Sequence, residues 1–179
     1  MLIVAEGQDT AEMDPQTSFF DMTWRLQAMI YETLVTTNEN LEIVPALAAS
    51  WTQPDDTTYV FSLQPGVTFS NGRALSADDV VGSLQRLIDP ATGSYWAPQL
   101  GPVESITAVD ASTVEVTLSP PYEPCLAAPA NVSAAVLPME ELTAGSFDPT
   151  TQMLGTGPFE FGEHLPDQSW TFIRNDTYW

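Results

Sequence analysis

The sequence contains no lysine and only one histidine and one cysteine among its 179 residues. Its 24 aspartate and glutamate residues outnumber four arginines, which gives a formal net charge of -20 at pH 7. A surface of this sign repels nucleic acid and anionic lipid, so neither is an expected partner. The acidic residues are scattered, which favours a role in solubility; a cation site is the alternative.

The scarcity of cysteine and histidine excludes an internal disulfide and a zinc site. Cys125 lies in an apolar stretch, which favours an inert, buried thiol. His164 falls in a predicted hairpin loop, where a surface position is favoured over a role as a catalytic base. The chain has no G-x-S-x-G elbow and no P-loop. We therefore predict that it is not an enzyme and that it uses no metal or cofactor.

Long hydrophobic runs are also missing, so no membrane span is predicted. The apolar start, Met1–Ala5, has no basic region and is interrupted by Glu6, which excludes a signal peptide. Leu2 to Ala5 is predicted instead to form a short buried strand. If the protein is exported, we expect its targeting segment to lie outside this sequence. Hydrophobic residues make up 44% of the chain, which is typical of a globular protein.

Hydrophobic periodicity predicts a mixed α+β fold. Apolar residues at steps of three and four indicate a helix from Ser18 to about Thr36, with Ser18 as its N-cap and Asp21 completing a capping box. A second helix is predicted after Ser76, and Asp89-Pro90 ends it.

Strands are predicted where apolar and polar residues alternate or where turn residues separate short apolar runs. The predicted pairs are Tyr59 to Leu63 with Val67 to Phe69, Val103 to Val109 with Thr113 to Leu118, and Phe159 to Gly162 with Trp170 to Arg174.

Two aromatic pairs are set apart from these elements. Phe19 and Phe20 lie at the start of the first predicted helix, and Tyr95 and Trp96 lie in a loop after the second. Spacing alone favours rings that cover the core, and rings that line an apolar pocket are the alternative.

Nine short motifs follow one another in a fixed order. They are Asp14-Pro15, Tyr31-Glu32-Thr33-Leu34, Pro45-Ala46-Leu47-Ala48-Ala49-Ser50-Trp51, Phe61-Ser62-Leu63, Phe69-Ser70-Asn71-Gly72, Ala77-Asp78-Asp79-Val80, Asp110-Ala111-Ser112-Thr113-Val114, Gly155-Thr156-Gly157-Pro158-Phe159 and Asn175-Asp176-Thr177-Tyr178-Trp179. Each motif is weak by itself. Together they resemble the family 5 extracellular solute-binding proteins, the peptide-, dipeptide- and nickel-binding subunits of bacterial ABC importers.

The resemblance implies a periplasmic-binding-protein-like type II fold with two lobes and a small inserted domain. It divides the chain into the start of the first lobe (1–33), the inserted α+β domain (34–154) and the return to the first lobe (155–179). The second lobe would be absent, so we expect this sequence to be the N-terminal part of a longer protein. The glycine-rich segment at Gly155 suits a close crossing of two backbones.

The resemblance also implies a function and a site. The protein would capture a solute, expected to be a peptide, and deliver it to a membrane permease. It would be a monomer located outside the cytoplasm, as a periplasmic protein or a cell-surface lipoprotein. Ser18, Phe19, Phe20 and Asp21, together with Tyr95 and Trp96, would contact the ligand. Asp21 would pair with a cationic group of the ligand; capping of the first helix is the alternative. A sensor or chaperone-like binder on the same fold, or a hydrolase-associated module, remains the alternative function.

Overall fold

The structure is a computed structural model that describes residues 3–4 and 9–179, without the side chains of Asp21 and Glu123. Its strands are β1 (Val35–Thr37), β2 (Ile43–Pro45), β3 (Ala48–Asp55), β4 (Thr58–Leu63), β5 (Val103–Asp110), β6 (Thr113–Leu118), β7 (Phe159–Leu165) and β8 (Ser169–Arg174). Its α-helices are α1 (Asp21–Gln27), α2 (Ala77–Ile88) and α3 (Met139–Ala144). Short 3₁₀ turns occupy Ala97–Leu100, Glu123–Leu126, Ala128–Ala130 and Val132–Ala134.

The largest sheet has four antiparallel strands in the order β3-β4-β6-β5. In the register of β4 and β6, Tyr59 lies opposite Val116 and Phe61 lies opposite Val114. All four side chains are buried, because alternate residues of each strand point to the same face and that face covers the core. The predicted strands at β4, β5 and β6 are confirmed.

Helix α2 packs against this sheet through β5 and β6. Ser76 is the N-cap, as predicted. The carboxylate of Asp79 accepts hydrogen bonds from the backbone N–H of Ser76 at 3.0 Å and from its hydroxyl at 2.8 Å, in a capping box that was not predicted for this helix. The helix ends before Asp89-Pro90, as predicted. Its buried apolar side chains are Ala77, Val80, Leu84 and Leu87.

A second apolar cluster lies where the chain returns from residue 153 to the β7–β8 hairpin. It contains Ile30, Tyr31, Ala135, Leu137 and Met153, with Phe161, Trp170 and Phe172 packed against it. Beside it, the N–H of Gly157 donates to the carbonyl oxygen of Ile30 at 2.8 Å. A Cβ atom on Gly155 or Gly157 would lie 2.2 or 2.6 Å from that oxygen, so the predicted close backbone crossing is present.

The first helix is much shorter than the sequence predicts. It covers Asp21–Gln27, and Phe20 rather than Ser18 occupies the N-cap position, without a side-chain hydrogen bond. The carbonyls of Met29 and Ile30 accept hydrogen bonds from Phe159 and Gly157, and β1 then pairs with β2. Tertiary backbone hydrogen bonds therefore replace those that would have continued the helix.

Two predicted strands are wrong or only partly described. Residues 67–69 do not pair with β4, whose partners are β3 and β6. Instead, Phe69 accepts a turn hydrogen bond from Gly72, while Thr68 forms an isolated bridge with Ala74. In the predicted strand from Leu2 to Ala5, Ile3 and Val4 are exposed and not in a strand, and the two end residues lie outside the described residues.

Cys125 is buried, as its apolar neighbours predict. Burial raises the pKa of its thiol to about 11, because the thiolate would lose its hydration. The reactive thiolate is therefore scarce at neutral pH.

Candidate functional site

The two aromatic pairs singled out in the sequence meet in the folded chain. We call Phe19, Phe20, Tyr95 and Trp96, with Trp24 of α1, the aromatic cluster. The ring centre of Phe19 lies 5.5 Å from that of Tyr95 and 6.0 Å from that of Trp96, and Trp96 lies 4.8 Å from Trp24. These separations are those at which aromatic rings attract one another. The segment before α1 and the loop after α2 therefore form one surface.

Much of the aromatic cluster faces solvent. Phe19 is 57% exposed, Phe20 52% and Tyr95 72%, while Trp96 is half-buried. Single exposed apolar residues are common, but contiguous exposed rings are typical of a surface that binds something. The three most exposed rings are thus not used to cover the core, in contrast to the interpretation that spacing alone favoured.

Ser18 lies beneath the cluster and not on its surface. Its side chain is fully buried, and its hydroxyl donates to the carbonyl oxygen of Asp14 at 2.9 Å and lies 2.7 Å from the amide nitrogen of Gln27. The backbone carbonyl oxygen of Ser18 accepts a hydrogen bond from the indole N–H of Trp96 at 2.9 Å. The indole nitrogen of Trp24 lies 3.4 Å from the same oxygen. Ser18 therefore connects the aromatic cluster to the buried polar groups below it.

Asp21 is the first residue of α1. Its side chain lies outside the described residues, so both predicted roles, pairing with a ligand and capping the helix, stay predictions.

An ion pair between a buried carboxylate and a half-buried arginine supports the same segment. Arg86 of α2 donates through Nη2 to a carboxylate oxygen of Asp14, and through Nη1 to Oε1 of Gln16 at 2.6 Å. The Gln16 amide nitrogen donates to the carbonyl oxygen of Ser83, also on α2, at 2.8 Å. These contacts attach the segment that contains Asp14 and Gln16, just before the aromatic cluster, to α2. The sequence shows the Asp-Pro turn but gives no sign of its arginine partner, 72 positions away.

His164 is not the isolated surface residue that the sequence predicts. It lies on β7, its Nε2 is 3.0 Å from a carboxylate oxygen of Asp9, and its ring stacks on Trp170 with centres 3.9 Å apart. The same carboxylate accepts the indole N–H of Trp170 at 2.9 Å and the backbone N–H of Asp167 at 2.7 Å. The hydrogen bond from Asp167, with those from Trp170 and His164, outweighs the opposing effect of burial and lowers the pKa of Asp9. This Asp9 clasp joins the start of the chain to the β7–β8 hairpin.

A concave region of about 560 Å³ between α2 and α3 lies away from the aromatic cluster. Its arginine, Arg73, is already held by Asp79 and Glu141, with N···O distances of 2.7 and 2.8 Å. Among the described residues that line the region, Arg73 is the positive group, and its neighbours neutralise it.

The part of the chain that the structure describes holds no group of three or more Asp, Glu, His or Cys side chains arranged to bind a metal ion. Nor, within residues 3–4 and 9–179, does any helix have the length and apolar character needed to cross a bilayer.

Comparison with known proteins supports the resemblance seen in the motifs. Residues 42–179 match the model of the family described as bacterial extracellular solute-binding proteins, family 5 Middle. The chain is 28% identical over 160 residues to the nickel-binding periplasmic protein of Escherichia coli, an alignment that covers 86% of this chain and 30% of that protein. It is also 28% identical over 199 residues to the dipeptide-binding protein DppE of Bacillus subtilis, covering 100% of this chain and 36% of that protein.

Solved structures show the same relationship. The peptide-bound OppA of Listeria monocytogenes matches with a TM-score of 0.88 and 26% identity, over 97% of this chain and 38% of that one. The Haemophilus influenzae OppA complex with RPPGFSPFR matches with a TM-score of 0.87 and 25% identity, over the same shares.

The chain thus spans about a third of the length of the relatives it matches. These matches confirm the predicted mixed α/β, periplasmic-binding-protein-like type II fold. Because the family model covers most of the sequence, the chain belongs to family 5 of the bacterial extracellular solute-binding proteins, which are binding proteins and not enzymes.

Proposed function

We propose that the protein containing this chain is the substrate-binding component of an ABC importer and that its solute is a peptide. The observation that carries the proposal is the aromatic cluster, where two segments 75 or more positions apart present exposed rings on one surface. Relatives whose names state a dipeptide-binding function, and OppA structures that hold peptides, support a peptide solute.

The proposed binding surface consists of Phe19, Phe20, Tyr95 and Trp96, with Asp21 as the partner of a cationic group. Ser18 supports this surface from below and does not touch the ligand, since its side chain is buried. We assign residues 1–33 and 155–179 to the first lobe and residues 34–154 to the inserted domain.

Ligand binding would be coupled to closure of two lobes. This chain supplies part of the first lobe. A ligand that contacts both lobes stabilises the closed state, and the closed state is the form that a membrane permease would recognise. We place the protein outside the cytoplasm, in line with relatives whose names describe them as periplasmic, and expect a monomer.

Calorimetry on the complete product of the encoding open reading frame tests the proposal. Titration with a mixture of dipeptides, with tripeptides and with a nonapeptide should give saturable binding at one site. Small-angle scattering should show a smaller radius of gyration in the bound state. Ni²⁺ alone and a monosaccharide serve as comparison solutes; binding of either without binding of any peptide would contradict the peptide assignment.

A further inference from the structure

We propose that the aromatic cluster makes this protein selective for peptides that carry an aromatic side chain and no net negative charge. The inference rests on the proposed function and specifies the ligand of the same site. It concerns preference among peptides, so it can fail while peptide binding itself stands.

The first argument is the geometry of the rings. Phe19 contacts Phe20 edge to face at 6.3 Å and 81°, contacts Tyr95 at 5.5 Å and 65°, and stacks on Trp96 at 25°. Phe19, Phe20 and Tyr95 each leave more than half of their surface exposed. A further ring from a ligand can therefore join the group in the same edge-to-face or offset arrangements, which aliphatic side chains cannot reproduce.

The second argument is that the base of the cluster is fixed before any ligand arrives. Trp96, which Phe19 stacks on, is tied by its indole N–H to the carbonyl of Ser18. Ser18 is in turn hydrogen-bonded to Asp14 and Gln27 in the interior. A preorganised surface spends less of the binding free energy on ordering its own side chains, so the contacts with a ligand ring are retained as affinity.

The third argument is charge. The carboxylate of Glu12 accepts the backbone N–H of Phe19 at 3.2 Å, which places a negative group directly beside the rings. Arg86, which contacts the chain before the cluster, is already paired with Asp14. The 24 acidic residues against four arginines give this chain a negative field, which disfavours an anionic ligand.

The test is calorimetry on the complete gene product with three tripeptides that differ at one position: Ala-Phe-Ala, Ala-Leu-Ala and Ala-Asp-Ala. We expect Ala-Phe-Ala to bind about threefold to tenfold more tightly than Ala-Leu-Ala, the range that an aromatic pair contributes. Ala-Asp-Ala should bind more weakly than both. Phe19→Leu and Tyr95→Leu should each bring the Phe/Leu affinity ratio close to one.

Ile173→Ala is the matched control, because Ile173 is 56% exposed on β8 and has no place in the cluster. This variant should leave the ratio unchanged. Equal affinities for Ala-Phe-Ala and Ala-Leu-Ala in the unmodified protein would overturn the inference and leave the proposed function intact. A fall in melting temperature of Phe19→Leu with an unchanged ratio would also overturn it, since the rings would then serve to pack against another part of the protein. Absence of binding to all peptides would instead contradict the proposed function.

Discussion

The indole N–H of Trp96 donates to the backbone carbonyl oxygen of Ser18 at 2.9 Å, across 78 positions of sequence. This bond joins the loop after α2 to the segment before α1. It explains why two separate aromatic pairs form one cluster, since a ring stacked on Trp96 is placed relative to Ser18 and its neighbours.

Replacing Trp96 by Phe tests this bond. The variant keeps an aromatic ring and removes the N–H donor, so the free energy of unfolding should fall by about 1 kcal/mol. The free energy of unfolding is measured by urea denaturation, monitored by far-ultraviolet circular dichroism. Trp24→Phe is the control: its indole nitrogen lies 3.4 Å from the same oxygen, and the loss should be smaller. Equal losses in the two variants would contradict the assignment of Trp96 as the main donor.

Replacing Arg86 by Met tests the ion pair below the cluster. The change leaves the buried carboxylate of Asp14 without its charged partner and removes the hydrogen bond to Gln16. We expect a loss of about 3 kcal/mol in the free energy of unfolding. Arg174→Met removes an exposed pair with Asp176 and should cost less than about 1 kcal/mol. Urea denaturation measures both losses. Losses of equal size for the two changes would contradict the argument that burial of the Asp14 carboxylate makes this ion pair important for stability.

Alanine at Gly155 or Gly157 should destabilise the chain by about 1 to 3 kcal/mol or more. The added Cβ would meet the carbonyl oxygen of Ile30, a backbone atom that can move only if the crossing opens. Gly82→Ala is the comparison: its Cβ would lie 2.8 Å from Cγ of Met139, a side-chain atom that can shift more easily than a backbone oxygen, and alanine favours the helix. Thermal unfolding of the three variants gives the comparison; a larger loss for Gly82→Ala than for the crossing glycines would contradict the argument.

Replacing Asp9 by Asn tests the Asp9 clasp through its pH dependence. The hydrogen bonds to the carboxylate lower the pKa of Asp9 in the folded state below its value of roughly 3.9 in the unfolded chain. Their contribution is therefore complete above that value and is lost as the pH falls through the lower pKa of the folded state. The unmodified protein should be more stable than Asp9→Asn at pH 7, and the difference should shrink as the pH is lowered from about 5 towards 2.

Asp176→Asn provides the reference for this experiment, since its carboxylate is almost fully exposed. Urea midpoints at pH 7, 5 and 3 for the three proteins separate the clasp from general effects of acid. A difference between the unmodified protein and Asp9→Asn that does not change with pH would contradict the electrostatic explanation.

The elements that the sequence predicted correctly have local causes. Helix α2 has its capping residues, its apolar stripe and its stopping proline within fifteen positions, and β6 shows strict alternation. The errors lie where a distant segment supplies the partners. The first helix stops early because Phe159 and Gly157 take the carbonyls of Met29 and Ile30, and β3 was missed because only its pairing with β4 makes it a strand.

The candidate site was likewise predicted only in part from the sequence. The motif order placed Phe19, Phe20, Tyr95 and Trp96 at the site through resemblance, whereas spacing alone favoured core rings. No sequence signal reveals that Trp96 bonds to Ser18, or that Asp9 holds His164 and Trp170 from 155 and 161 positions away. Those contacts depend on how separate elements are oriented.

The sequence by itself determined the family, the acidic character, the lack of catalytic and zinc-binding motifs, and the locally encoded helix and strands, because each depends on residue types and short spacings. Only the tertiary structure decided that Ser18 is buried, that three aromatic rings remain exposed above it, and that Asp14 pairs with Arg86. The physical reason is that exposure and hydrogen-bond pairing are properties of segments brought together by packing, and residues 70 or more positions apart carry no local record of their contact.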